Sequence, residues 1–574
     1  MKMTKTINNN QLRIDDVNKE VTLYGWVANK RKFGELTFID LRDKCGITQL
    51  VFNQNININK ESVLQATGIV AKRKDVNPTI ATGEIEVIVS EYKVLSTSVN
   101  ELPFQIRDDI EVKEEIRLQN RFLDLRRPVM QKTFAFRNKL IFAMREFLQN
   151  KDFMEIETPI LSKATPEGAR DFLVPVRKFN SFYALPQSPQ LFKQLLMISG
   201  FERYFQFARC FRDEDSRKDR QPEFTQLDVE ISFTEVEDFR AIIEKMFQYA
   251  LKKTMNIDLK IPFDKIDYDE CISKYGSDKP DFRYEQFIAD INDFCNNSDF
   301  EIIKNAPAKR LLKIDEIITK KDFKVLEEIA KKNGANILFY FTVENGAIIN
   351  TNFANKIPSD EIQKLLNLHQ NPNGSYFIVA NKYEKASQAL GAIRVELNSM
   401  YNWAKDQLNF KWVVKFPMFE YDEETNTWAA AHHPFTQFDH PLDQIDQMNK
   451  ADVKAKSYDL VLNGFELGSG SARIFDRATQ EKMFNLINLD KNAQENKFGF
   501  FLKALDYGVP PHCGIGLGID RIVMLLTNHQ TIRDVIAFPK NSRSEDLFTN
   551  APSSVETQQL DDLYIQVKEV TKDE

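Results

Sequence analysis

Apolar and polar residues alternate in five short runs between residues 20 and 93. The runs are VTLYGWV, LTFIDL, ITQLVF, ATGIVAK and EIEVIVSEYKV, and turn-rich pieces such as KRKFGE and DKCG separate them. Five short strands at such close spacing predict a small closed β-barrel, which we place in residues 1–103. Barrels of this kind bind single-stranded nucleic acid by stacking bases on aromatic rings. Phe38 and Gln49 are candidates for that surface, although a core Phe38 and an ordinary surface Gln49 would fit the pattern equally well.

The pattern changes after the barrel. A linker containing Pro103 precedes a charged, helical stretch from Val112 to LDLRRP, where we expect Pro128 to stop the helix. We interpret residues 104–130 as a hinge. An amphipathic helix is predicted over Lys139–Asn150, and FMEIETPIL after it is predicted to be a strand whose Pro159 suits a sheet edge or an interface.

Residues 283–408 differ in texture from the segments on either side. Their segment KRLLKIDEIITKKDFKVLEEIAKKNGAN is lysine-rich and predicted to be helical, and the region shows no catalytic motif. We interpret it as an inserted α+β domain that divides a core into residues 131–282 and 409–574. The C-terminal VETQQLDDLYIQVKEVTKDE is predicted to be a polar helical tail.

The composition is that of a large globular protein: 574 residues, 42% of them hydrophobic. No apolar run is long enough to span a membrane, and the N-terminus lacks a signal-peptide pattern, so a cytoplasmic location without membrane contact is expected. The five scattered cysteines argue against disulfides and structural zinc, and we expect them to be core thiols.

The formal net charge of −7 argues against a nucleic-acid partner. Local basic surface is still possible at Lys30-Arg31-Lys32, Lys72-Arg73-Lys74 and Arg126-Arg127. From charge alone, these clusters fit a solvated face equally well.

The most informative segment is RYFQFARCFRDEDSRKDRQPEFTQLDVEISF at residues 203–233. Two β-rich runs flank a charged loop. In the second run, apolar side chains (Leu227, Val229, Ile231, Phe233) alternate with polar ones (Gln226, Asp228, Glu230, Ser232). A solvated sheet face would alternate in the same way, but the arginine-rich loop before it favours a phosphate or carboxylate ligand.

The segment FRDEDSRKDRQPEFTQLDVEISF resembles the second signature motif of class II aminoacyl-tRNA synthetases, in the form typical of their aspartyl members. The resemblance implies that Arg212 holds the ATP α-phosphate and the substrate carboxylate. It implies further nucleotide contacts from Asp213, Glu214 and Gln221. Gln226 and Asp228 would then line the amino-acid pocket, together with Ser188 and Gln190 of the segment QSPQLFK.

GIGLGIDRIVMLL, from Gly514, is predicted to be a glycine-rich turn that enters an apolar helix. It resembles the third signature motif of the same family. The resemblance implies that Arg521 clamps the γ-phosphate and that the glycines let the backbone approach the adenine. Gly518, Ile519 and Asp520 belong to the implied ATP site.

Between these motifs, Asp459 and Glu466 of SYDLVLNGFELGSGSARI are candidate Mg²⁺ ligands, with Glu466 also catalytic beside Arg212 and Arg521. A spacing of seven puts the two carboxylates on opposite faces of a regular strand, so they converge only if Asn463-Gly464 makes a bulge or turn. The family pattern ends in three glycines, whereas this chain has Gly468-Ser469-Gly470, which leaves the geometry of that loop open.

Aspartate as substrate is suggested by cations that resemble the family's specificity set: Lys193, Arg473, and His432 or His433. Metal binding by the adjacent histidines is disfavoured, because neighbours on an extended chain point apart. Glu167 in ATPEGARD resembles the loop glutamate that closes over the substrate ammonium, with a helix-capping role after Pro166 as the alternative.

The resemblance covers nearly the whole chain. It implies an N-terminal OB-type barrel that binds the anticodon through Phe38, Gln49 and Glu86, a class II antiparallel-sheet core, and an inserted domain similar to the GAD-like domain of bacterial aspartyl enzymes. The expected protein is thus multidomain α+β and a homodimer through the segment containing Pro159. The implied ligands are ATP, Mg²⁺, L-aspartate and tRNA-Asp, with tRNA-Asn as a second candidate tRNA.

The implied chemistry has two steps, activation of aspartate by ATP and transfer of the aspartyl group to the tRNA 3′ end. An asparagine-specific enzyme of the same architecture is the nearest alternative, and the cationic pocket and the insertion disfavour it. A nucleic-acid-binding module with a decayed catalytic half is a second alternative, which Arg212, Glu466 and Arg521 disfavour. No Walker-type motif occurs.

Overall fold

The computed structural model describes residues 5, 7–164, 168–296, 300–353 and 356–568. The chain divides into two units. The first comprises the chain up to Ala135 with Arg533–Asn541 and Glu545–Ser553, and the second comprises Phe136–Ile532, Ser542–Ser544 and the chain from Ser554 onward.

The first unit contains a closed five-stranded barrel. Its strands are β1 (Glu20–Phe33), β2 (Leu36–Arg42), β3 (Ile47–Phe52), β4 (Val63–Lys72) and β5 (Ile85–Ser96), in the order β1-β2-β3-β5-β4. The β3–β5 pair is parallel and the other pairs are antiparallel. Alternate residues such as Leu23, Ile39 and Leu50 are fully buried inside the barrel, so the period-two pattern of the sequence predicted it correctly.

The segment after the barrel forms α1 (Glu114–Gln119), α2 (Arg121–Asp124) and α3 (Pro128–Gln149). Pro128 begins α3, so the prediction that it stops a helix is wrong. The first turn of a helix leaves its N–H groups unbonded, and proline, which has none, suits this position. As a result α3 is longer than the helix predicted from Lys139.

Two arginines that were candidates for free basic surface are ion-paired in this unit. Arg126 Nη1 lies 2.9 Å from Glu61 Oε2, and its guanidinium lies over the ring of Trp26. Arg127 Nη1 lies 3.3 Å from a carboxylate oxygen of the buried Asp124. Both side chains therefore stabilise the first unit through ion pairs with its own carboxylates.

The second unit has seventeen strands within the described residues: β6 (Met154–Glu155), β7 (Leu173–Pro175), β8 (Phe182–Ala184), β9 (Arg203–Phe211), β10 (Glu223–Ser232), β11 (Asp264–Asp267), β12 (Ile288–Asp290), β13 (Ala308–Ile314), β14 (Phe339–Glu344), β15 (Ala347–Thr351), β16 (Gly374–Asn381), β17 (Phe410–Val414), β18 (Phe419–Asp422), β19 (Thr427–Ala430), β20 (Ser457–Leu462), β21 (Phe465–Ala472) and β22 (His512–Gly518). Its helices after α3 are α4 (Gln190–Ile198), α5 (Val236–Met255), α6 (Tyr268–Tyr275), α7 (Glu301–Lys304), α8 (Lys320–Lys332), α9 (Ser359–Asn367), α10 (Tyr383–Tyr401), α11 (Arg477–Leu486), α12 (Lys491–Leu505), α13 (Ile519–Leu526) and α14 (Thr557–Asp561).

An eight-stranded sheet in the order β11-β17-β20-β21-β22-β10-β9-β6 forms the core of this unit. Its central pairs are antiparallel, while the outermost pairs, β11–β17 and β6–β9, are parallel. Helix α5 packs on the sheet through Phe239, which contacts the ring of Tyr458, and Phe247, which contacts the ring of Phe410. This is the antiparallel core that the sequence predicted.

Two predicted elements differ in the sheet. FMEIETPIL supplies just the two-residue strand β6, because its remaining residues leave the sheet edge. The glycine-rich segment before α13 is strand β22 in the middle of the sheet, so the prediction of a turn there is wrong.

A separate five-stranded sheet, in the order β12-β13-β16-β14-β15, occupies the predicted insertion. Both of its faces are covered: Leu312 and Phe377 share a buried cluster with α8 and α10, and Leu311 and Phe341 share another with α9. The prediction that the whole lysine-rich segment is helical is half wrong, since the segment begins in strand β13, between β12 and β16, before it forms α8. The domain boundaries at 283 and 408 stay predictions.

Several smaller expectations can be compared with the fold. The C-terminal tail is helical only over α14 among its described residues. Four cysteines are buried as expected, but Cys45 is exposed. Within the described ranges, no helix combines the length and apolar character that a membrane crossing needs, and no group of three or more potential metal-binding side chains occurs.

Candidate active site

A cavity of about 370 Å³ opens in the second unit where β10, β21, β22 and the start of α13 meet. Most of the residues predicted for substrates line it: Ser188, Gln190, Lys193, Arg212, Glu214, Gln221, Gln226, His432, His433, Glu466, Arg473, Gly518, Asp520 and Arg521. Asp213, Asp228, Asp459 and Ile519 are not part of the lining; the last three are buried. Glu167 lies outside the described residues.

Strand β10 supplies the polar wall of the cavity. Leu227, Val229 and Ile231 face the dry side as predicted, and Asp228 and Glu230 on the other side are equally buried. At Phe233 the alternation fails, because β10 ends at Ser232 and Phe233 is exposed with a φ of 57°. The second face is therefore a buried polar surface rather than a solvated one.

Glycines of β22 make room for this polar wall. Gly514 pairs with Glu230, and a Cβ atom there would lie 1.8 Å from Glu230 Oε2. A Cβ atom on Gly516 would lie 2.4 Å from Gln226 Nε2. The motif thus needs these two glycines because a neighbouring strand carries long side chains. Gly518, in contrast, has more space and lines the cavity.

Four buried charged groups form one closed network along the polar wall of β10. Lys193 Nζ donates to Asp228 Oδ1 at 2.9 Å and lies 3.3 Å from Glu230 Oε2. Arg473 Nε donates to Glu230 Oε1 at 2.8 Å, and its Nη2 donates to Oε2 at 3.2 Å. We call Lys193, Asp228, Glu230 and Arg473 the charge quartet. Two cations are matched by two carboxylates.

The quartet fixes the charge state of Glu230. Burial alone would raise the pKa of the Glu230 carboxyl, but Arg473 and Lys193 outweigh it and hold this pKa at about 2. Gln226 Nε2 donates to Asp228 Oδ2 at 2.9 Å and connects the quartet to the cavity surface.

The adjacent histidines point to different partners, as predicted for neighbours on an extended chain. Arg473 Nη1 lies 2.8 Å from His433 Nε2, and it donates to that nitrogen because guanidinium cannot accept. Burial and the charge of Arg473 hold the pKa of His433 well below its usual value, so its ring is neutral. His432 Nε2 instead lies 3.5 Å from Asp459 Oδ1. Burial would lower the pKa of His432, but Asp459 and Glu466 outweigh it and raise this pKa.

The arginines of the phosphate end differ in their partners. The Arg212 guanidinium lies 5.1 Å from the ring centroid of Phe224 and is in no ion pair among the residues that the structure describes. Arg521 Nη2 lies 3.2 Å from Asp219 Oδ2, and its Nη1 donates to the backbone oxygen of Glu466. Arg212 is therefore the lining guanidinium that is open to an anionic ligand.

Asp213 and Asp520 have structural partners. The N–H of Asp213 donates to Arg170 O at 3.1 Å. Asp520 is buried and accepts from Arg137 Nη1 and, at 2.7 Å, from the N–H of Thr225. Asp520 thus anchors α13 to β10.

Asp459 and Glu466 are brought together by a hairpin. Asn463 and Gly464 form the turn between β20 and β21 with φ values of 51° and 89°, typical of a two-residue hairpin turn. The register shifts between Leu460 and Val461. The turn and the bulge that allow the Asp459 and Glu466 carboxylates to converge are therefore both present. Gly468-Ser469-Gly470 is part of strand β21 rather than a loop.

The two carboxylates interact strongly. Burial and the charge of Asp459 raise the pKa of Glu466. Asp459 Oδ1 is buried without a hydrogen-bond donor within the described part of the chain. Mg²⁺ in nucleotide sites takes one or two carboxylates and completes its shell with phosphate and water oxygens. This pair fits such an ion.

The predicted anticodon residues share one outer face of the barrel. Phe38 is half-buried on β2, and Gln49 on β3 is buried. Gln49 Nε2 donates to Glu86 Oε2 at 2.7 Å, while Nη2 groups of Arg31 and Arg73 each donate to Gln49 Oε1 at 3.0 Å. Arg31 and Arg73, from two of the three basic clusters, thus contribute to this face. Phe38 is not a core residue and Gln49 is not a surface residue, so neither of the simpler alternatives holds.

Comparison with known proteins agrees with this geometry. The sequence model described as tRNA synthetases class II (D, K and N) matches residues 113–542. The chain is also 46% identical over 566 residues to the aspartate–tRNA ligase of Malacoplasma penetrans, covering 96% of this chain and 97% of the relative. It belongs to the aspartate–tRNA ligase family of class II synthetases. In this synthetase, the model of the OB-fold nucleic acid binding domain matches residues 21–95.

Other relatives extend the likeness. The synthetase is 47% identical to the aspartate–tRNA ligase of Mycoplasma capricolum, covering 99% of this chain and 100% of the relative. It is 45% identical to the aspartate–tRNA(Asp/Asn) ligase of Caldanaerobacter subterraneus, covering 97% of each. Among solved structures, asparaginyl-tRNA synthetase from Pyrococcus horikoshii has a TM-score of 0.59 at 20% identity, covering 94% of this chain and 98% of that one. At 20% identity, this last likeness shows a shared fold only.

Sequence reasoning missed residues that act through long-range pairing. Glu230 lies in the centre of the quartet, and its place on the polar face of β10 beside Asp228 was the available signal. Arg31 and Arg73 were noted as charge clusters and not as partners of Gln49. Nothing local indicated that Asp219 would pair with Arg521.

Proposed function

We propose that this synthetase activates L-aspartate with ATP and esterifies tRNA-Asp with it. The aspartate α-carboxylate attacks the α-phosphorus of ATP in line, forming aspartyl-adenylate and releasing pyrophosphate. The terminal adenosine 3′-hydroxyl of the tRNA then attacks the carbonyl carbon, and AMP leaves. The observation that carries the proposal is a cavity lined at one end by Lys193 and Arg473 of the charge quartet and at the other by Arg212, which is in no ion pair with the residues that the structure describes.

The quartet supports recognition of an acidic side chain by orientation rather than by net charge. Lys193 and Arg473 are held by Asp228 and Glu230, so their N–H donors have fixed directions before substrate arrives. Arg473 also donates to Ser471 Oγ at 2.7 Å, on the cavity wall. Fixed donors lose little entropy when they bind a carboxylate. The substrate carboxylate would thus accept hydrogen bonds from N–H donors whose directions are already fixed.

Arg212 supports the chemical step. In the first step, negative charge builds at the α-phosphate, and a guanidinium without a competing carboxylate interacts with it at full strength. Glu214 and Gln221 line the same end and would contact the nucleotide. Arg521 would bind the γ-phosphate, which would replace Asp219 as its partner.

Asp459 and Glu466 would hold the magnesium ion that accompanies ATP. When bound, this ion supplies positive charge to the phosphate oxygens. His432, beside Asp459, would orient that carboxylate, whereas His433 orients Arg473.

The barrel would bind the anticodon. Its outer face places Phe38 next to the polar network of Arg31, Gln49, Arg73 and Glu86. A ring for stacking beside fixed donors and acceptors is the arrangement that single-stranded bases require. The expected cytoplasmic location stays a prediction.

We also propose a homodimer. Apolar side chains in the segment from β6 to β8 are strongly exposed in the single chain, including Met154 at 54%, Leu161 at 52% and Leu173 at 60%. Phe142 of α3 is 57% exposed. An apolar surface of this kind supports an interface. Sedimentation of the active enzyme at micromolar concentration should give twice the mass of one chain, and a fully active single-chain species would contradict the dimer.

Pyrophosphate exchange tests the activation step. Exchange by the purified protein should depend on aspartate, and asparagine should support far less, because its amide NH2 group cannot accept from the fixed N–H donors of Lys193 and Arg473 as a carboxylate oxygen can. Equal exchange with both amino acids would contradict aspartate specificity. Charging purified tRNA-Asp and tRNA-Asn in parallel then decides between one and two tRNA substrates, since relatives of both descriptions are equally similar.

A further inference from the structure

The hairpin turn Asn463–Gly464 contacts the chain where it returns from the inserted domain. Asn463 Oδ1 accepts from the N–H of Asn409 at 3.0 Å, and Asn463 Nδ2 donates to Gln407 O at 3.0 Å. Residues 407–409 directly precede β17, which pairs with β20 in the main sheet. One side chain thus binds the returning segment through both of its polar atoms.

The same turn also faces the segment by which the chain enters the inserted domain. A Cβ atom on Gly464 would lie 3.3 Å from Asp281 Cβ, so the turn backbone packs closely on Asp281. Arg394 of α10, a buried residue, donates to Asp281 O at 2.9 Å. Arg283 is paired with Asp281 at 2.7 Å and donates to Lys405 O at 3.3 Å. Entry and return segments are therefore bound to each other, to α10 and to one turn.

The strands on either side of this turn carry the two carboxylates. Glu466 follows Asn463 by three residues in β21, and Asp459 precedes it by four in β20. A shift of the turn would consequently move both carboxylates relative to Arg212 and Arg521.

We propose that Asn463 is a positioning residue that fixes the hairpin of Asp459 and Glu466 to the return connection of the inserted domain, while Gly464 packs on the entry connection. The inserted domain thereby sets where these carboxylates stand for MgATP. The part concerning MgATP rests on the proposed function, whereas the fixing of the hairpin does not.

Asn463→Gly isolates this contact. The residue has a φ of 51°, which glycine adopts without strain, so the change removes both hydrogen bonds and preserves the turn. Asn345→Gly is a matched control. Asn345 also has a φ of 51° and precedes a glycine in the β14–β15 hairpin, but its side chain is exposed.

Three measurements test the proposal on the full-length enzyme. The Mg²⁺ concentration for half-maximal pyrophosphate exchange should rise about threefold to tenfold in Asn463→Gly, as expected for the loss of one or two neutral hydrogen bonds. The KM for aspartate should stay within about twofold, because the charge quartet is untouched. Without ligand, amide hydrogen exchange in residues 459–468 should become faster in Asn463→Gly and stay unchanged in Asn345→Gly.

Three outcomes would overturn the proposal, and a fourth would overturn only the proposed function. Unchanged amide exchange in residues 459–468 of Asn463→Gly would overturn the proposal, and so would equal Mg²⁺ dependence in the two variants. A parallel rise in the KM values for aspartate and MgATP would overturn it too, because it would indicate general loosening. The wild-type protein could lack aspartate-dependent pyrophosphate exchange while amide hydrogen exchange in the hairpin still became faster in Asn463→Gly. The proposed function would then fail, and the anchoring by Asn463 would stand.

Discussion

The two ends of the cavity handle charge in opposite ways. At the amino-acid end, the charge quartet pairs every cation with a carboxylate, and all four side chains are buried. At the end proposed to bind phosphate, Arg212 is in no ion pair among the described residues, and burial and the charge of Asp459 raise the pKa of Glu466. The first end is electrostatically complete without ligand, and the second is not.

Mutations at the two ends should therefore differ in how much they destabilise the folded protein. Removing one member of a closed buried network leaves its partners buried and uncompensated, so the folded state suffers. Removing a group that is in no ion pair, such as Arg212 among the described residues, costs the folded state little beyond its contact with the Phe224 ring and mainly affects the bound state. Changes in the quartet should therefore act on stability first, and a change at Arg212 should act on catalysis alone.

The largest expected effect is that of Glu230→Gln on stability. Lys193 and Arg473 would lose their shared carboxylate, which we expect to cost about 3–5 kcal/mol of unfolding free energy. Denaturant unfolding measures this loss. Glu223→Gln, on the same strand but in a partly exposed pair with Arg209, is the control and should cost less than about 1 kcal/mol. Equal losses in the two variants would remove the distinction between the two kinds of pair.

Arg212→Ala should have the next largest effect, on rate. Loss of one preorganised donor to the developing phosphate charge typically costs ~10²–10³ in rate. Aspartate-dependent pyrophosphate exchange measures it, with Arg477→Ala on the exposed part of α11 as the control. Near-normal exchange by folded Arg212→Ala enzyme would exclude Arg212 from the chemistry.

The quartet also predicts a pH dependence of stability. The pKa of Glu230 is about 2 in the folded protein against a usual 4.5. A carboxyl with a lowered folded pKa stabilises fully above its unfolded pKa and loses this effect as pH falls towards the folded one, here from pH 4.5 to about 2. The loss is about 3 kcal/mol. Glu230→Gln should reduce the acid sensitivity of unfolding in this window, and an unchanged pH profile would show that the pair does not hold Glu230 ionised.

The smallest expected effect lies outside the cavity. Phe38→Ala should weaken productive use of tRNA by about tenfold to a hundredfold, since stacking is worth ~1–3 kcal/mol per base, and leave pyrophosphate exchange intact. Phe52→Ala, at a buried position of the same barrel, should instead lower the unfolding free energy by ~3–5 kcal/mol. If Phe38→Ala lowered the barrel's melting transition as Phe52→Ala does, Phe38 would be a core residue and not an anticodon contact.

Local patterns predicted those parts of the molecule that depend on local periodicity. The barrel strands and β10 have a period of two because one face of each packs inward. The motif residues around Arg212 and Arg521 converge because both segments flank strands of one sheet. These features could be read from short stretches of sequence.

The errors concern properties that distant residues determine. The glycines of β22 suggest a turn, and only their register opposite Gln226 and Glu230 explains them as a strand. The first lysines of the lysine-rich segment lie in β13, where Lys309 Nζ is buried and donates to Phe294 O at 2.8 Å. The Arg473–Glu230 pair joins positions 243 residues apart. No local pattern encodes such partners.

The most direct test of the contrast between the two ends is the melting temperature of Arg212→Ala, without ligand and with saturating MgATP. We predict that the unliganded variant melts at the wild-type temperature, because the guanidinium leaves no carboxylate unpaired. We also predict that MgATP raises its melting temperature less than that of the wild type, because a ligand stabilises only through contacts made in the folded state. A clear fall in the unliganded melting temperature, with the full MgATP-induced rise retained, would contradict the account.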